Sequence, residues 1–516
     1  MDLFTNLMQG FEVAITPVNI LFLIIGAFVG MVVGIFPGFG PSAGIAILLP
    51  MTFTLEPTTA IIMLAGIYYG SMYGGTITSI LINTPGESAT VASTLDGYPL
   101  AKAGRAGPAL VMQAVASFVG GTIGVILICS LAPFFSEVAI SFGPAEYFML
   151  MVMGLLTLTI MTGDNKRNGI VSALLGLAIA TVGVDVVSGM QRYTFGSAEL
   201  INGIDFIPVA IGLFGLGELF HCVYTGLHKG KASEPIKFSY RGGHFWPNLK
   251  DYIECKFTFI RSSVLGFVIG VLPGAGATIA SLMSYSVEKK MSKTPEKFGK
   301  GAMPGLVGPE AANNAASAGA MIPLLTLGIP GSGSTAVLLG AFLMWGLQPG
   351  PLLMENNPDF TWGLITSMYL GNVVLLLVNI VAIPLFVKIM RVPYKMLVPV
   401  ILILCVIGTY SLHGSIVETW ILLFAGIVGF FMKQYGYSPA ALVLALVLGP
   451  LAENSLRQAL ISSGGSFSVF VVRPVSLSLL IVILLVIIVP MILSFRKKRA
   501  GGSTLNKGGD DKNVTS

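Results

Sequence analysis

Four Pro-Gly pairs lie inside otherwise apolar stretches of this 516-residue sequence: Pro37-Gly38, Pro85-Gly86, Pro273-Gly274 and Pro330-Gly331. Proline cannot donate the backbone hydrogen bond that a helix interior requires, so each pair predicts a broken helix. A helix that restarts after such a break presents unpaired N–H groups and the positive end of its dipole. The chemistry that these positions favour is therefore the binding of an anion.

The residues at and just after the four breaks are the predicted anion ligands. Glycine lets a ligand approach the main chain, and serine or threonine hydroxyls add hydrogen-bond donors. The predicted substrate-binding residues are Gly38, Gly40, Ser42, Pro85, Gly86, Ser88, Thr90, Gly274, Gly276, Thr278, Gly331, Ser332, Ser334 and Thr335. The alternative interpretation is that each break is only a kink that permits close helix packing.

A cation, unlike an anion, needs oxygen atoms as ligands. Carbonyl groups exposed just before a Pro-Gly pair, at Thr84 and Ile329, could coordinate Na⁺. In the polar stretch PGLVGPEAANNAASAG, Glu310, Asn313 and Asn314 have the spacing of one helix face and complete the predicted coupling-cation site. Glu310 could equally carry a proton or cap the start of the following helix. Sodium and proton coupling both stay open.

Composition decides which class of protein must position these residues. Charged residues make up 10% of the sequence, against roughly 25% in an ordinary soluble protein. Hydrophobic residues make up 54%, and the mean hydropathy is +0.84. A water-soluble globule is excluded, because its surface would be mostly hydrocarbon. The sequence predicts an all-α polytopic membrane protein with roughly 12 transmembrane segments.

The breaks form an internal repeat. A shift from Pro37 to Pro273 also pairs Gly34 with Gly270 and Ser42 with Thr278. A shift from Pro85 to Pro330 also pairs Gly74 with Gly319, Thr90 with Thr335, and Tyr68-Tyr69 with Asn313-Asn314. Duplicated Gly/Pro breaks in corresponding places of two halves point to a transporter's substrate site.

Basic residues predict how each half faces the membrane. Lys/Arg clusters at 102–105, 166–167, 229–261, 289–300, 388–395 and 496–499 mark cytoplasmic segments, whereas 1–17, 52–59 and 349–360 are poor in Lys and Arg. The first copy then starts on the outer side of the membrane, and the second copy starts on the cytoplasmic side. The prediction is a pair of inverted-topology repeats whose broken helices or re-entrant hairpins meet near mid-membrane.

The predicted organisation follows from these segments. Residues 1–226 form the first inverted repeat with its following helices, 227–260 a basic cytoplasmic loop, and 261–474 the second repeat with its helices. Residues 475–495 are an extra C-terminal transmembrane helix, and 496–516 a disordered cytoplasmic tail. The following helices are expected at about 108–133, 144–162, 168–188, 204–226, 361–388, 396–412, 415–432 and 436–450.

Several long motifs resemble one known family. They include GIFPGFGPSAGIAILLP, YYGSMYGGTITSILINTPGESATVAS, GVLPGAGATIASLMSYSVEKK and GPEAANNAASAGAMIPLLTLGIPGSGSTAVLLGAF. Together with GPLAENSLRQALISSGGSFSVFVVRPVS they resemble the large membrane subunit of the tripartite tricarboxylate transporters, over essentially residues 15–495. The resemblance implies a multi-pass protein of the bacterial inner membrane with a cytoplasmic C-terminus.

The resemblance also implies a function and partners. The expected function is import of citrate or a related carboxylate, driven by a cation gradient, with Na⁺ or H⁺ co-transported and no other cofactor. The expected partners are a small four-helix membrane subunit and a periplasmic solute-binding protein, and no nucleic acid. An anion channel or a membrane-embedded enzyme remain the alternatives. An enzyme would need grouped titratable residues, and the motifs are expected to offer only Glu310; no Walker A, H-E-x-x-H or G-x-S-x-G motif occurs.

Overall fold

The computed structural model describes residues 3–161, 166–185, 188–228, 236, 245–274, 276–390, 392 and 394–502. Within these residues, eight helices are long and apolar enough to cross a membrane, and four shorter apolar helices accompany them. The only strands described are two short ones, Gly183–Val184 and Gln191–Arg192. The predicted all-α polytopic membrane class is confirmed.

Ten α-helices lie among the described residues of the first half of the chain. In order they are α1 (Leu3–Ala14), α2 (Pro17–Ile35), α3 (Gly40–Leu48), α4 (Pro57–Ile82), α5 (Val91–Leu100), α6 (Ala106–Ile140), α7 (Pro144–Met161), α8 (Lys166–Ala180), α9 (Phe206–Ala210) and α10 (Gly217–His228). A 3-10 turn, Ser88–Thr90, leads into α5, and a π-helical segment, Ile211–Leu216, joins α9 to α10.

Thirteen α-helices lie in the part of the second half that the structure describes. They are α11 (Leu249–Val271), α12 (Gly276–Met291), α13 (Met303–Gly319), α14 (Met321–Leu327), α15 (Gly333–Met344), α16 (Pro351–Asn356), α17 (Pro358–Val381), α18 (Ile383–Ile389), α19 (Tyr394–His413), α20 (Ile416–Gln434), α21 (Pro439–Ser462), α22 (Val469–Val472) and α23 (Pro474–Gly502).

The two sequence copies have matching elements. Helices α2 and α3 of the first copy correspond to α11 and α12 of the second, and the turn with α5 corresponds to α15. Helix α4 corresponds to α13 and α14 together, which are separated only by Ala320. The paired arrangement that the breaks predicted is therefore present as a repeated set of helices. Their inversion relative to a membrane stays a prediction.

Helices within each copy pack through glycine. A Cβ added to Gly30 of α2 would lie 2.4 Å from the carbonyl oxygen of Ile67 in α4, and one on Gly34 would lie 2.3 Å from that of Ser71. In the second copy, a Cβ on Gly270 of α11 would lie 2.2 Å from the carbonyl oxygen of Ala316 in α13. These backbones approach closely because no side chain separates them, which is a common way for helices to associate in membranes.

Several predicted boundaries differ from the structure, among them the start of α11, the end of α8 and the end of α21, which lies at Ser462 rather than 450. Helix α11 begins at Leu249 rather than 261, because Asn248 and Asp251 form a capping box. The rest of the predicted basic loop lies outside the described residues, apart from Ile236 and 245–248. Helix α8 ends at Ala180 rather than 188, and the chain then turns at Gly183, whose φ is 125°.

The last helix continues beyond the predicted boundary at 495. Helix α23 extends to Gly502, so residues 496–502, predicted as the start of a disordered tail, are helical. Lysine and arginine are good helix formers and interact favourably with the negative end of the dipole, which explains the extension. The remainder of the predicted tail, 503–516, lies outside the described residues.

Candidate functional site

The first break of each copy is a short turn between two helices. Helix α2 ends at Ile35 and α3 begins at Gly40, with φ angles of 98° at Gly38 and 57° at Gly40. In the second copy, φ is 83° at Gly274 and 61° at Gly276. These left-handed conformations favour glycine, so the same backbone path is built twice from the same residue type.

The second break also has one geometry in both copies. Asn83, directly after α4, has a φ of 55°, and Gly328, directly after α14, has a φ of 69°, so a left-handed residue follows both helices. Four residues later, Glu87 and Ser332 each form a capping box with a threonine three residues further on. The threonines are two predicted site residues, Thr90 and Thr335. Both are fully buried.

Within each copy, a backbone hydrogen bond joins the two breaks. The N–H of Gly38 donates to the carbonyl oxygen of Gly86 at 3.2 Å, and the N–H of Gly274 donates to that of Gly331 at 3.0 Å. These two N–H groups therefore already have acceptors within the protein and are not free to bind a ligand. An anion at a first break would have to be held by the first turn of α3 or α12 and by side-chain hydroxyls.

Between the copies, predicted site residues meet in two reciprocal contacts. The hydroxyl oxygens of Ser42 and Ser334 are 3.0 Å apart, and those of Ser88 and Thr278 are 2.8 Å apart. Helix α3 packs against α15, and α12 packs against the 88–90 turn. The first break of either copy thus faces the second break of the other, as a two-fold relation between copies requires. The fold brings all four breaks into one region.

The remaining predicted residues lie around this region at different depths. Gly86 and Gly331 are buried, while Pro85 is partly exposed. Ile329 is fully buried, and its N–H donates to the carbonyl oxygen of Pro323 at 3.0 Å. The Thr84 hydroxyl donates to the carbonyl oxygen of Ile82 at 3.3 Å.

Glu310 lies at the centre of a buried polar cluster. It is the eighth residue of α13 and has no exposed surface. Thr76 of α4 and Ser93 of α5 donate to its Oε1, the former at 2.7 Å, and Ser117 of α6 donates to Oε2 at 3.3 Å. The alternative that Glu310 caps a helix start is wrong, since α13 begins seven residues earlier at Met303.

The two asparagines complete this cluster. The Asn314 amide donates to the Glu310 carbonyl oxygen at 3.0 Å and to Asn313 Oδ1 at 2.5 Å. Asn313 is fully buried, and its side chain interacts with the Glu310 carboxylate, so the carboxylate and the two amides form one connected polar group.

Comparison with known proteins decides the family. The model of the tripartite tricarboxylate transporter TctA family matches residues 20–444. The chain belongs to this family.

Two relatives from Agrobacterium vitis agree with that assignment. An uncharacterized 52.8 kDa protein of the TAR-I ttuC′ 3′ region is 43% identical over 499 residues, which cover 97% of this chain and 98% of the relative. An uncharacterized protein of the TAR-II ttuC′ 3′ region is 46% identical over 215 residues, which cover 42% of this chain and 89% of the relative. No solved structure matches the chain. As a TctA-family member, the chain is a multi-pass transporter subunit that acts with partner subunits and a solute-binding protein.

Sequence reasoning missed two buried carboxylates of this TctA-family chain. Glu87 stands directly after Pro85-Gly86 and is 8% exposed, so Glu310 is not the only titratable residue in the motifs. Asp96 has no exposed surface, and its Oδ1 accepts hydrogen bonds from the N–H groups of Gly299, Gly301 and Ala302 at 2.7–2.9 Å. A signal for Glu87 was present, because it is a carboxylate next to a Pro-Gly pair. Asp96 gave no local signal.

A basic residue also approaches a break through the fold rather than through the sequence. Lys433 of α20 forms an ion pair with Glu218 of α10. A Cβ added to Gly38 would lie 2.6 Å from Glu218 Oε1, so this pair lies beside the first break. The ion pair links α10 to α20.

A second ionic network borders a cavity of about 690 Å³ between the 183–207 segment and α21. Arg457 binds Asp185 at 2.7 Å and Glu453 at 2.6 Å, while Arg192 binds Glu453 at 2.9 Å. The hydrogen bond from Arg192 to Glu453 raises the pKa of the Arg192 guanidinium. Glu453 and Arg457 lie one turn apart on α21, and the pairs Arg192–Glu453 and Arg457–Asp185 hold the 183–192 segment against that helix.

Proposed function

We propose that this chain is the membrane subunit that imports citrate or a related carboxylate across the bacterial inner membrane, together with a co-transported cation. In this proposal a periplasmic solute-binding protein delivers the carboxylate, a small four-helix membrane subunit completes the transporter, and the C-terminus is cytoplasmic. The observation that carries the proposal is the reciprocal pairing of Ser42 with Ser334 and of Ser88 with Thr278 at four duplicated helix breaks.

The chemistry of that region suits a carboxylate. Helix α15 begins at Gly333, directly after a break, and α3 and α12 begin at Gly40 and Gly276. Their positive ends and nearby hydroxyls can hold an anion by hydrogen bonds without a fixed cation. A ligand held in this way can be released again, which transport requires.

Charge explains why a cation should accompany the substrate. Citrate carries up to three negative charges, and each helix end offers only about half a positive charge. Moving one uncompensated negative charge inward against about 100 mV, negative inside, costs roughly 2.3 kcal/mol. The cluster of Glu310, Asn313 and Asn314, with the carbonyls of Thr84 and Ile329, is the proposed location of the cation. It is either Na⁺ or H⁺.

The proposal is tested by uptake of labelled citrate into proteoliposomes that contain the chain with its small subunit and binding protein. We expect accumulation against a concentration gradient when a sodium or proton gradient is imposed. Collapse of the driving gradient should abolish accumulation. Unchanged uptake after both gradients are collapsed would instead support an anion channel, and chemical conversion of the substrate would support an enzyme.

Removing a hydroxyl from a paired contact should weaken substrate binding. In Ser42→Val, one carboxylate oxygen loses a donor, and the loss of about 1.5–3 kcal/mol corresponds to a rise in KM of roughly ten- to hundredfold. Thr278→Val should raise KM less, because Thr278 pairs with Ser88, next to the carboxylate of Glu87. The variants should reach the membrane in normal amounts, because both positions are partly exposed.

The measurement is initial uptake rate against substrate concentration, with protein amount in the membrane determined in parallel. Thr94→Val is the matched control, since Thr94 is a partly exposed residue whose hydroxyl donates to the carbonyl oxygen of Val91 within its own helix. Normal KM values for Ser42→Val and Thr278→Val would mean that the breaks serve packing alone.

A further inference from the structure

The second breaks of the two copies share a backbone but differ at the capping position. Glu87 occupies this position in the first copy and Ser332 in the second. Both breaks follow a left-handed residue, and both form a capping box with the threonine three residues further on. The difference is therefore one of charge, because a carboxylate replaces a hydroxyl at otherwise equivalent positions.

A carboxylate at this position opposes anion binding. Glu87 places its own negative charge at the positive end of the helix that starts at Ser88, so that end is already neutralised. A substrate carboxylate at the same place would face a like charge in a region of low dielectric. Ser332 leaves the start of α15 uncharged, and Ser334 and Ser42 add hydroxyls there. The second copy is the more favourable location for the substrate.

One carboxylate oxygen of Glu87 lacks a hydrogen-bond donor among the described residues. Its side chain is 92% buried, and across the residues that the structure describes its Oε1 has no hydrogen-bond partner. Glu310 is different, because Thr76, Ser93 and Ser117 donate to its two oxygens. A buried carboxylate oxygen without a donor is costly unless a proton or a metal cation binds it.

Two threonines, Thr76 and Thr90, lie close to Glu87. The Cγ atom of Glu87 would lie 3.1 Å from a Cβ on Gly75, so the side chain lies against α4 next to Thr76, which binds Glu310. Thr90, on the same turn, accepts a hydrogen bond from the N–H of Glu87 at 3.5 Å. Carboxylate and hydroxyl oxygens of this kind suit a small monovalent cation or a proton.

We propose that Glu87, which lies beside the Glu310 cluster, contributes a ligand to the co-transported cation at the first-copy break and thereby confines the substrate carboxylate to the second-copy break, at Ser332–Thr335. This inference rests on the proposed function and goes beyond it, because the two halves of a symmetric fold then have different ligands. The cation then binds in the first copy and the anion in the second, and Tyr68 of α4 interacts with both Glu87 and Ser332. Binding of each ligand then favours binding of the other through their opposite charges.

The test separates the two ligands with two variants. Glu87→Gln removes the charge but keeps a side chain that can form the capping box, and Ser332→Ala removes the hydroxyl at the equivalent position. In proteoliposome uptake, Glu87→Gln should raise the half-saturating cation concentration at least about tenfold and change the substrate KM at saturating cation by less than about threefold. Ser332→Ala should raise the substrate KM at least about tenfold and change the half-saturating cation concentration by less than about threefold. The swap Ser332→Glu should abolish substrate binding while Glu87→Ser lowers cation affinity.

A second readout does not depend on the identity of the substrate. The thermal stability of the purified full-length chain is measured in NaCl and in choline chloride, and separately across a pH series. Wild type should be stabilised by Na⁺ or by protons, and Glu87→Gln should lose that response while Ser332→Ala keeps it. In the pH series Glu310 of α13 and Tyr68 of α4 also face Glu87, so Glu310→Gln is the control for their contribution.

The outcomes are distinguishable. A Glu87→Gln variant that keeps the full cation response, a wild type without any cation response, or the same constant altered in Glu87→Gln and Ser332→Ala would each overturn the inference. The wild type could import no carboxylate and still respond to the cation. If the Glu87→Gln variant then lacks that cation response, the cation site stands and the proposed function fails.

Discussion

Replacing Asp96 by alanine should prevent most of the protein from accumulating in a folded form. Asp96 Oδ1 accepts hydrogen bonds from the N–H groups of Gly299, Gly301 and Ala302, and its Oδ2 accepts one from the Tyr285 hydroxyl at 3.0 Å. The first three lie immediately before α13, whose positive end the carboxylate also faces. Asp96 therefore joins α5 of the first copy to the start of the helix that carries Glu310.

The expected magnitude follows from the donors that the substitution leaves behind. Gly299 is exposed and can bind water, but Ala302 is buried and Gly301 is partly so. Two unsatisfied N–H groups at about 1–3 kcal/mol each give a loss of about 2–6 kcal/mol. That is a large part of the roughly 5–15 kcal/mol that stabilises a typical protein. The measurement is folded protein per membrane and the free energy of unfolding in detergent.

Two further variants provide the controls. Asp96→Asn keeps an acceptor oxygen for the three N–H groups, so it should recover most of the folded protein. Tyr285→Phe removes a single hydrogen bond and should cost about 1 kcal/mol. Wild-type yield and stability in Asp96→Ala would show that the N–H groups find other partners, and would contradict this account of α13.

The helix breaks were predictable because their signal is local. Proline and glycine restrict the backbone wherever they stand, so Pro37-Gly38 and its three counterparts indicated where helices end and restart. The repeat then indicated that the second copy would follow the first. Helix ends at Ile35, Ile82, Val271 and Leu327 agree with this prediction.

Roles that depend on distant residues were not predictable in the same way. Glu310 appeared equally suited to cap a helix, and only the contacts with Thr76, Ser93 and Ser117, more than 190 residues away, show its place in a cluster. Helix α8 was expected to reach residue 188, but Asp185 instead binds Arg457 of α21. A single sequence gives no information on such pairs, because side chains far apart in the chain meet only after the helices have packed.

Gly86→Ala should abolish transport and strongly destabilise the fold, whereas Gly331→Ala, at the equivalent position of the second copy, should be tolerated. A Cβ on Gly86 would lie 2.0 Å from the carbonyl oxygen of Gly34 and 2.5 Å from the Cα of Gly75. On Gly331 the closest atoms would be the Ala320 Cβ at 3.0 Å, the Ala320 Cα at 3.2 Å and the Gly270 carbonyl oxygen at 3.3 Å. Neither glycine has a positive φ, so the comparison measures space alone.

The expected losses of folding free energy differ between the two variants, because the backbone atoms around Gly86 cannot rotate away from an added methyl group. In Gly86→Ala, α2 and α4 have to separate, which also strains the bonds from Gly86 N–H to Gly75 and from Gly38 N–H to Gly86. We expect a cost of about 3 kcal/mol or more there, and about 1 kcal/mol or less for Gly331→Ala, where neighbours move by a few tenths of an ångström. Free energy of unfolding in detergent and initial uptake rate are measured for both variants.

The comparison also bears on where the substrate lies. The space around Gly331 is larger at an otherwise equivalent backbone, which agrees with a ligand at Ser332–Thr335 and a closely packed break at Glu87. If Gly331→Ala folds normally but raises the substrate KM, the added methyl group intrudes on the ligand rather than on the packing. Equal destabilisation by the two substitutions would mean that both breaks are packed alike, and the difference between the copies would then rest on the charge of Glu87 alone.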